Sequence, residues 1–383
     1  MADLAINGGE KSCNLNWLDW PIWDNEERKA INSVLESGEW CSGEKAIELN
    51  VKFAEFQGAK FGVTCSNGVA ALEVALLALG VGAGDEVIIP SYAFITTVSA
   101  VLRVNAIPIF ADILPWTLCI DHEDVEHKIT NKTKAIIPVH LAGYVADMDR
   151  LREIAAEHNL FLIEDACHAL GSEWMGKGAG TLGKCGVFSI QTSKNINSFD
   201  SGFIVTDDEE VAETCRSFMN PAFNQITPLS NSQINEFQAA ILLVQLTRLK
   251  EQTIKRQSNA GILTDGLRDV PGIYTIEHDP RMTRRSYQFF PFRISTNYLE
   301  VSRDRFVEVL AAEGIPISAG YTTPLYKNHI NTYTSGSINC PVCEQACLDT
   351  CWISHNALLA DNKAMDIIID TAYKVSDNIS ELL

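Results

Sequence analysis

Three short stretches of the 383-residue chain place polar residues where apolar, strand-like runs end. Ser66-Asn67-Gly68 follows GVTC and opens the run VAALEVALLALG. Free amide groups and the positive end of a helix dipole would favour an anion such as phosphate there, although the same tripeptide is also an ordinary N-cap and turn. Glu164-Asp165-Ala166-Cys167-His168 closes FLI. A carboxylate at the end of a buried strand is costly unless it meets a cation or a donor, and a structural pairing with Arg or Lys is the alternative to a chemical role. His168, taken alone, equally suits a core or rim histidine. Ser189 precedes Lys194 by five residues in FSIQTSKNINSFDSGF. A lysine leaving a buried strand can serve as a Schiff-base amine, with Ser189 holding a phosphate oxygen; a loop lysine can also be merely solvated.

The elements that must position these residues alternate along the chain. From about Lys60 to Asp207, FGVTCS, EVIIPS, KAIIPVH and FLIEDA are apolar throughout, and the first three each precede a helical pattern. Such runs predict a parallel sheet covered by helices on both faces, a doubly wound α/β fold whose ligands bind beyond the carboxyl ends of the strands. GVFSIQ and GFIVT, joined only by a loop, predict neighbouring strands of that sheet. After Asp208 come a helix near DEEVAETCRSF and a long periodic stretch from about Ile234 to Leu267, which is expected to span a domain boundary. YQFFPFRI and RDRFVEVLAAEG then read as a smaller α/β lobe. The expected division is a large domain over residues 1–250, carrying the mostly parallel sheet, and a small one over 251–383.

Composition narrows the function classes. Apolar residues make up 46% and charged residues 21%, which is ordinary globular usage. The net charge of −19 disfavours binding to nucleic acid or to anionic membranes, since both need clustered cations. No leader-like segment and no run of about 18 apolar residues is apparent, so a soluble, cytoplasmic protein is expected. Eleven scattered cysteines suit reduced thiols. Cys340, Cys343, Cys347 and Cys351 are expected along one helical stripe after Pro341, as buried small residues rather than a metal site.

An anion-binding helix start, an acid at a strand end and a lysine 29 residues beyond that acid together match the layout of fold-type I pyridoxal-phosphate enzymes. More narrowly, GDEVIIPSYAF, AIIPVHLAGYVADM, IEDACHALG, FSIQTSKN, IVTDDEEV and NSQINEFQAA resemble the DegT/DnrJ/EryC1/StrS family of sugar aminotransferases, from about Trp20 to the C-terminus. The resemblance implies pyridoxal 5′-phosphate as cofactor and Lys194 as the residue that forms the aldimine, gives way to a pyridoxamine form and carries the transferred proton. It implies Asp165 at the pyridine nitrogen, His168 at the ring 3′-oxygen and Phe94 on the ring face. The phosphate would be held by Gly68, Val69 and Ser189, and by Asn231 from the partner subunit of a homodimer.

The chain also departs from the family pattern. Val69 stands where Thr is usual, Phe199-Asp200-Ser201-Gly202 replaces a Gly-Glu-Gly-Gly type of stretch, and Gln233 replaces an Arg. LAINGGEKS, VHLAGYVADMDRL and CWISHNALLAD look most similar to the branch that aminates keto-cyclitols and includes the aminohydroxybenzoate synthases. The resemblance therefore implies amino transfer from glutamine or glutamate to a keto-cyclitol or keto-sugar, in aminocyclitol or amino-sugar biosynthesis within secondary metabolism. One alternative is a nucleotide-diphosphate keto-sugar aminotransferase, for which Arg281, Arg284 and Arg285 are candidate diphosphate ligands, although three arginines before a strand are more often a solvated edge. Another is a regulator that binds the cofactor without turnover.

Overall fold

The computed structural model describes residues 4–41, 43–219, 233–328 and 338–379. Seven strands form the central sheet: β1 (Phe61–Cys65), β2 (Glu86–Pro90), β3 (Ile107–Ala111), β4 (Thr133–Ile136), β5 (Phe161–Asp165), β6 (Cys185–Ser189) and β7 (Gly202–Thr206). Their order across the sheet is β1-β7-β6-β5-β4-β2-β3. The pairs β2 with β3 and β4, β4 with β5, and β5 with β6 are parallel, whereas β7 runs antiparallel to β1 and β6. The expected neighbours GVFSIQ and GFIVT are thus β6 and β7, in register Ser189 to Gly202.

The strands are apolar throughout because both faces are covered. Val63, Ile88, Ile89, Ile136, Ile163, Val187 and Ile204 are all buried. The helix Gly68–Ala78 is apolar around much of its circumference and buries Ala71, Leu72, Val74, Ala75 and Leu76, as a helix wedged between neighbours must. On the opposite side Phe53, from the helix Glu44–Gln57, stacks on Phe203 with ring centroids 3.8 Å apart.

The predicted long helix is Glu236–Leu267, started by a capping box between Asn235 and Gln238. It packs against the helices Asn25–Ser37, Glu44–Gln57 and Asn362–Asn378. A second, antiparallel sheet has the order β8-β9-β11-β10, with β8 Ile273–Thr275, β9 Phe289–Ile294, β10 Ile317–Ala319 and β11 Thr350–Ser354. The cysteine stripe needs correcting here. Cys343 and Cys347 lie on the helix Pro341–Asp349 and Cys340 is its N-cap, but the helix stops at Asp349, so Cys351 belongs to β11; all four thiols are buried.

Candidate active site

The carboxyl ends of β1, β5 and β6 open onto a cavity of about 830 Å³. Gly68, Val69, Phe94, Asp165, His168, Ser189 and Lys194 all line it, although they come from four stretches of chain. Asn231 lies outside the described residues. Gln233 lines a separate, smaller cavity beside Gly43 and Asn50.

Each side chain has a local reason for its position. Asn67 caps the helix that begins at Gly68, its Oδ1 accepting from the Ala70 amide at 2.9 Å. The amides of Gly68 and Val69 have no partner within the helix, and both residues line the cavity. A Cβ on Gly68 would lie 2.8 Å from Ser189 Cβ, and one on Gly202 would lie 2.3 Å from the Asn67 carbonyl oxygen. Only glycine lets the helix start sit this close to the strand that carries Ser189.

Asp165 is buried at the end of β5. Its Oδ2 accepts from the Thr97 hydroxyl at 2.8 Å and its Oδ1 from the Cys167 amide at 3.2 Å. His168 accepts at Nδ1 from the Ala142 amide at 3.4 Å, so its proton is assigned to Nε2. Burial, reinforced by nearby Lys194, holds this imidazole well below its ordinary range and therefore neutral. Desolvation likewise lowers the Lys194 amine, with Asp165 acting in the opposite sense. Burial, with Asp165 alongside, pushes the Cys167 thiol well up.

The DegT/DnrJ/EryC1/StrS aminotransferase family profile matches residues 21–371. This chain belongs to that family. It is 36% identical to the L-glutamine:2-deoxy-scyllo-inosose aminotransferase of Micromonospora echinospora, covering 100% of both chains. It is 35% identical to the L-glutamine:scyllo-inosose aminotransferase of Streptomyces griseus, covering 100% of this chain and 99% of that one. The crystal structure of 3-amino-5-hydroxybenzoic acid synthase superposes with a TM-score of 0.89 at 31% identity, over 96% of this chain and 99% of that one.

The cofactor of this aminotransferase is pyridoxal 5′-phosphate, and the cavity fits it. The Gly68 and Ser189 cradle offers amides and a hydroxyl to a phosphate, Asp165 offers an anion at the cavity floor, and Lys194 offers a desolvated amine. Val69 supplies a backbone amide but no hydroxyl.

Sequence reasoning missed Thr97, since nothing in PSYAFITT distinguishes a hydroxyl aimed at Asp165 from a helix-surface threonine. It also missed an aromatic wall. Phe289 and Trp352 stack with centroids 4.6 Å apart, and Tyr321 meets Trp352 edge-on at 4.8 Å. Phe94 is 53% exposed and lies 6.3 Å from Tyr321. These residues are far apart in sequence, so only tertiary packing reveals the wall.

Two alternatives that the sequence left open are decided here. Among the described residues Glu164 pairs with neither Arg nor Lys; it is held by His140 and by the amides of Gly180, Leu182 and Gly183. Arg281, Arg284 and Arg285 do not line the cavity. Arg281 is tied to Asp147 at 2.8 Å and Asp279 at 2.7 Å, and Arg284 to Glu173 at 2.8 Å. Arg285 stacks on the rings of Tyr144 and Tyr287. Among the described lining residues the cations are Lys194 and Arg103, and Arg103 is paired with Glu73 at 2.5 Å.

Proposed function

We propose that this aminotransferase moves an amino group from glutamine to an uncharged keto-cyclitol or keto-sugar, in aminocyclitol or amino-sugar biosynthesis of secondary metabolism. The observation that carries the reading is the convergence of Lys194, Asp165 and the Gly68–Ser189 cradle on one cavity whose described lining has no spare cation for a diphosphate. The names of the two inosose aminotransferases support glutamine and a keto-cyclitol. The aromatic wall supports a ring whose C–H faces lie against it.

When bound, the cofactor provides a conjugated ring that accepts the electron pair left as a proton leaves the substrate carbon. The protein's residues then divide the work. The Gly68 and Val69 amides and the Ser189 hydroxyl bind phosphate, joined by the partner subunit's Asn231. Asp165 would hold the pyridine nitrogen in its protonated form, His168 would donate from Nε2 to the ring oxygen, and Phe94 would cover the ring. Lys194 Nζ would hold the cofactor and would carry the proton at the substrate carbon.

Two copies forming a homodimer with shared sites, a division of the chain near residue 250 and a cytoplasmic location belong to the same proposal. Eleven free cysteines support a reducing compartment, and among the described residues no helix is long and apolar enough to cross a membrane.

The test is a pair of half-reactions on purified protein, with glutamine and with glutamate, followed by cofactor absorbance and then by a screen of keto-cyclitols and nucleotide-linked keto-sugars. Conversion with glutamine and turnover of a cyclitol ketone is the expected result. Turnover restricted to nucleotide-linked substrates would overturn the acceptor assignment. No conversion with either donor would support the regulator reading, whose supporting observation is the altered loop at Phe199, which adopts a left-handed φ of 71°. For the shared site, Asn231→Asp and Lys194→Ala homodimers are each expected to be inactive. Mixing them should restore up to about half the wild-type activity per mixed dimer.

A further inference from the structure

Behind the lysine loop sits a buried arginine without an acid. Arg256, on the helix Glu236–Leu267, is fully buried, and among the described residues its Nε and Nη1 have no hydrogen-bond partner. A buried guanidinium left unpaired is costly, so its retention asks for an explanation. Its Nη2 lies 3.5 Å from His355 Nδ1 and 3.4 Å from Gln252 Oε1. An arginine can only donate, so His355 Nδ1 accepts and the imidazole proton sits on Nε2. That Nε2 is 3.2 Å from the Ser193 carbonyl oxygen.

The next peptide is held in the same way. Trp20 meets the His355 ring edge-on at 4.6 Å, carries the Arg256 guanidinium 5.5 Å from its ring centroid, and donates from Nε1 to the Lys194 carbonyl at 3.0 Å. Gln288 donates to the Ser193 carbonyl at 2.6 Å. Side chains from three distant segments thus grip two consecutive carbonyls at the base of Lys194.

We propose that Arg256 and His355 are positioning residues for Lys194: Arg256 fixes His355 in its Nε2–H form, and that donor, together with Trp20, sets the Ser193–Lys194 backbone so that the amine reaches into the cavity. The inference rests on the proposed function only for the role of Lys194. The absence of an acid matters to it. The charged groups facing His355 are Arg256 from the long helix and Lys194 from the loop, both cations. Burial first, then Arg256, with Lys194 in the same sense and the Ser193 carbonyl opposing, pushes His355 down to about 3. A carboxylate beside Arg256 would instead draw a second proton onto the ring. Arg256, lowered by burial to about 9, remains a cation at neutral pH.

The test compares His355→Leu with His355→Gln, whose amide can reach the Ser193 carbonyl as Nε2 does. Amide hydrogen exchange across residues 191–197 is read in cofactor-free protein, and kcat and KM for the glutamine half-reaction in loaded protein. We expect His355→Leu to speed exchange and lower kcat by about tenfold with KM changed less than about threefold, and His355→Gln to restore both. Arg256→Met frees His355 Nδ1 to carry the proton in place of Nε2, so exchange across residues 191–197 should speed and kcat should fall in the direction of His355→Leu, and Arg256→Lys should restore both. Unchanged exchange and kcat in His355→Leu, or equal impairment by Gln and Leu, would overturn the positioning role. Wild-type exchange and kcat in a folded Arg256→Met would overturn the tautomer role; should that variant not fold, Arg256→Lys must match wild type in both for that role to stand. Failure of wild-type protein to load cofactor on Lys194 would refute the proposed function instead, and the exchange contrast would still be readable.

Discussion

Glu164 and Asp165 are neighbours at the end of one strand, yet they have opposite surroundings. Glu164 is fully buried and receives four donors: His140 Nε2 at 2.8 Å and the amides of Gly180, Leu182 and Gly183 at 2.7, 2.6 and 2.6 Å. His140 takes the Ala146 amide at Nδ1, which leaves its Nε2 proton for Glu164. Asp165 receives two donors and faces the cavity. Strand pleating sends consecutive side chains to opposite faces, so one acid enters the scaffold and the other the site. A carboxylate with all its lone pairs occupied is a strut. One with capacity left over, in a cavity, is available to a ligand.

Four substitutions would break or sharpen this contrast. The largest effect is expected for Asp165→Asn, which should unfold at nearly the wild-type urea concentration while kcat and kcat/KM both fall by on the order of 10²-fold or more, the scale of a lost electrostatic stabiliser. Near-normal turnover would make Asp165 a strut as well. Glu164→Gln should show the reverse profile. Its amide sets donors against donors in a buried network, lowering stability by about 3 kcal/mol in urea titrations while the folded fraction keeps its kcat within a few fold. Thr97→Val removes one of the two donors to Asp165, so a drop in kcat of about tenfold is expected, with Thr97→Ser close to wild type.

The smallest effect concerns the histidines on the two sides. His140 is buried against an acid, whereas His168 is buried without one and kept neutral by burial and by Lys194. A base whose folded pKa lies below its unfolded value binds fewer protons when native. Stability is then full above about pH 6.5 and declines as pH falls below it, by about 1.4 kcal/mol per pH unit for each such group. His168→Gln should remove one group's share of that slope, seen as a flatter dependence of urea midpoints between about pH 5 and 7. An unchanged slope would mean that His168 protonates freely in the native state.

Local signals carried much of this site. The apolar strand β5 ends at Asp165 whatever surrounds it, Asn67 caps the helix that starts at Gly68, and Lys194 leaves β6 five residues after Ser189. Each depends on propensity and spacing over a few residues, which a linear reading can weigh. Thr97, Arg256, His355 and the ring of Trp20 gave no such signal, because each acts across more than 60 residues of chain on a partner that only folding brings near. For the same reason the sequence left Arg281, Arg284 and Arg285 open between diphosphate ligands and a solvated edge. Their cluster in sequence says nothing of the acids Asp147, Asp279 and Glu173 or of the rings that engage them.

The sequence by itself determined the alternation of elements, the helix start at Gly68, the acid and the lysine, and through them the family. Those features are encoded in residues close together along the chain, where backbone preference and hydrophobic period act directly. The tertiary structure decided which of two adjacent acids faces the cavity, which donors leave Asp165 with spare capacity, and which side chains grip the base of Lys194. Burial and hydrogen-bond saturation are properties of all the neighbours at once, and packing brings those neighbours together from distant parts of the chain.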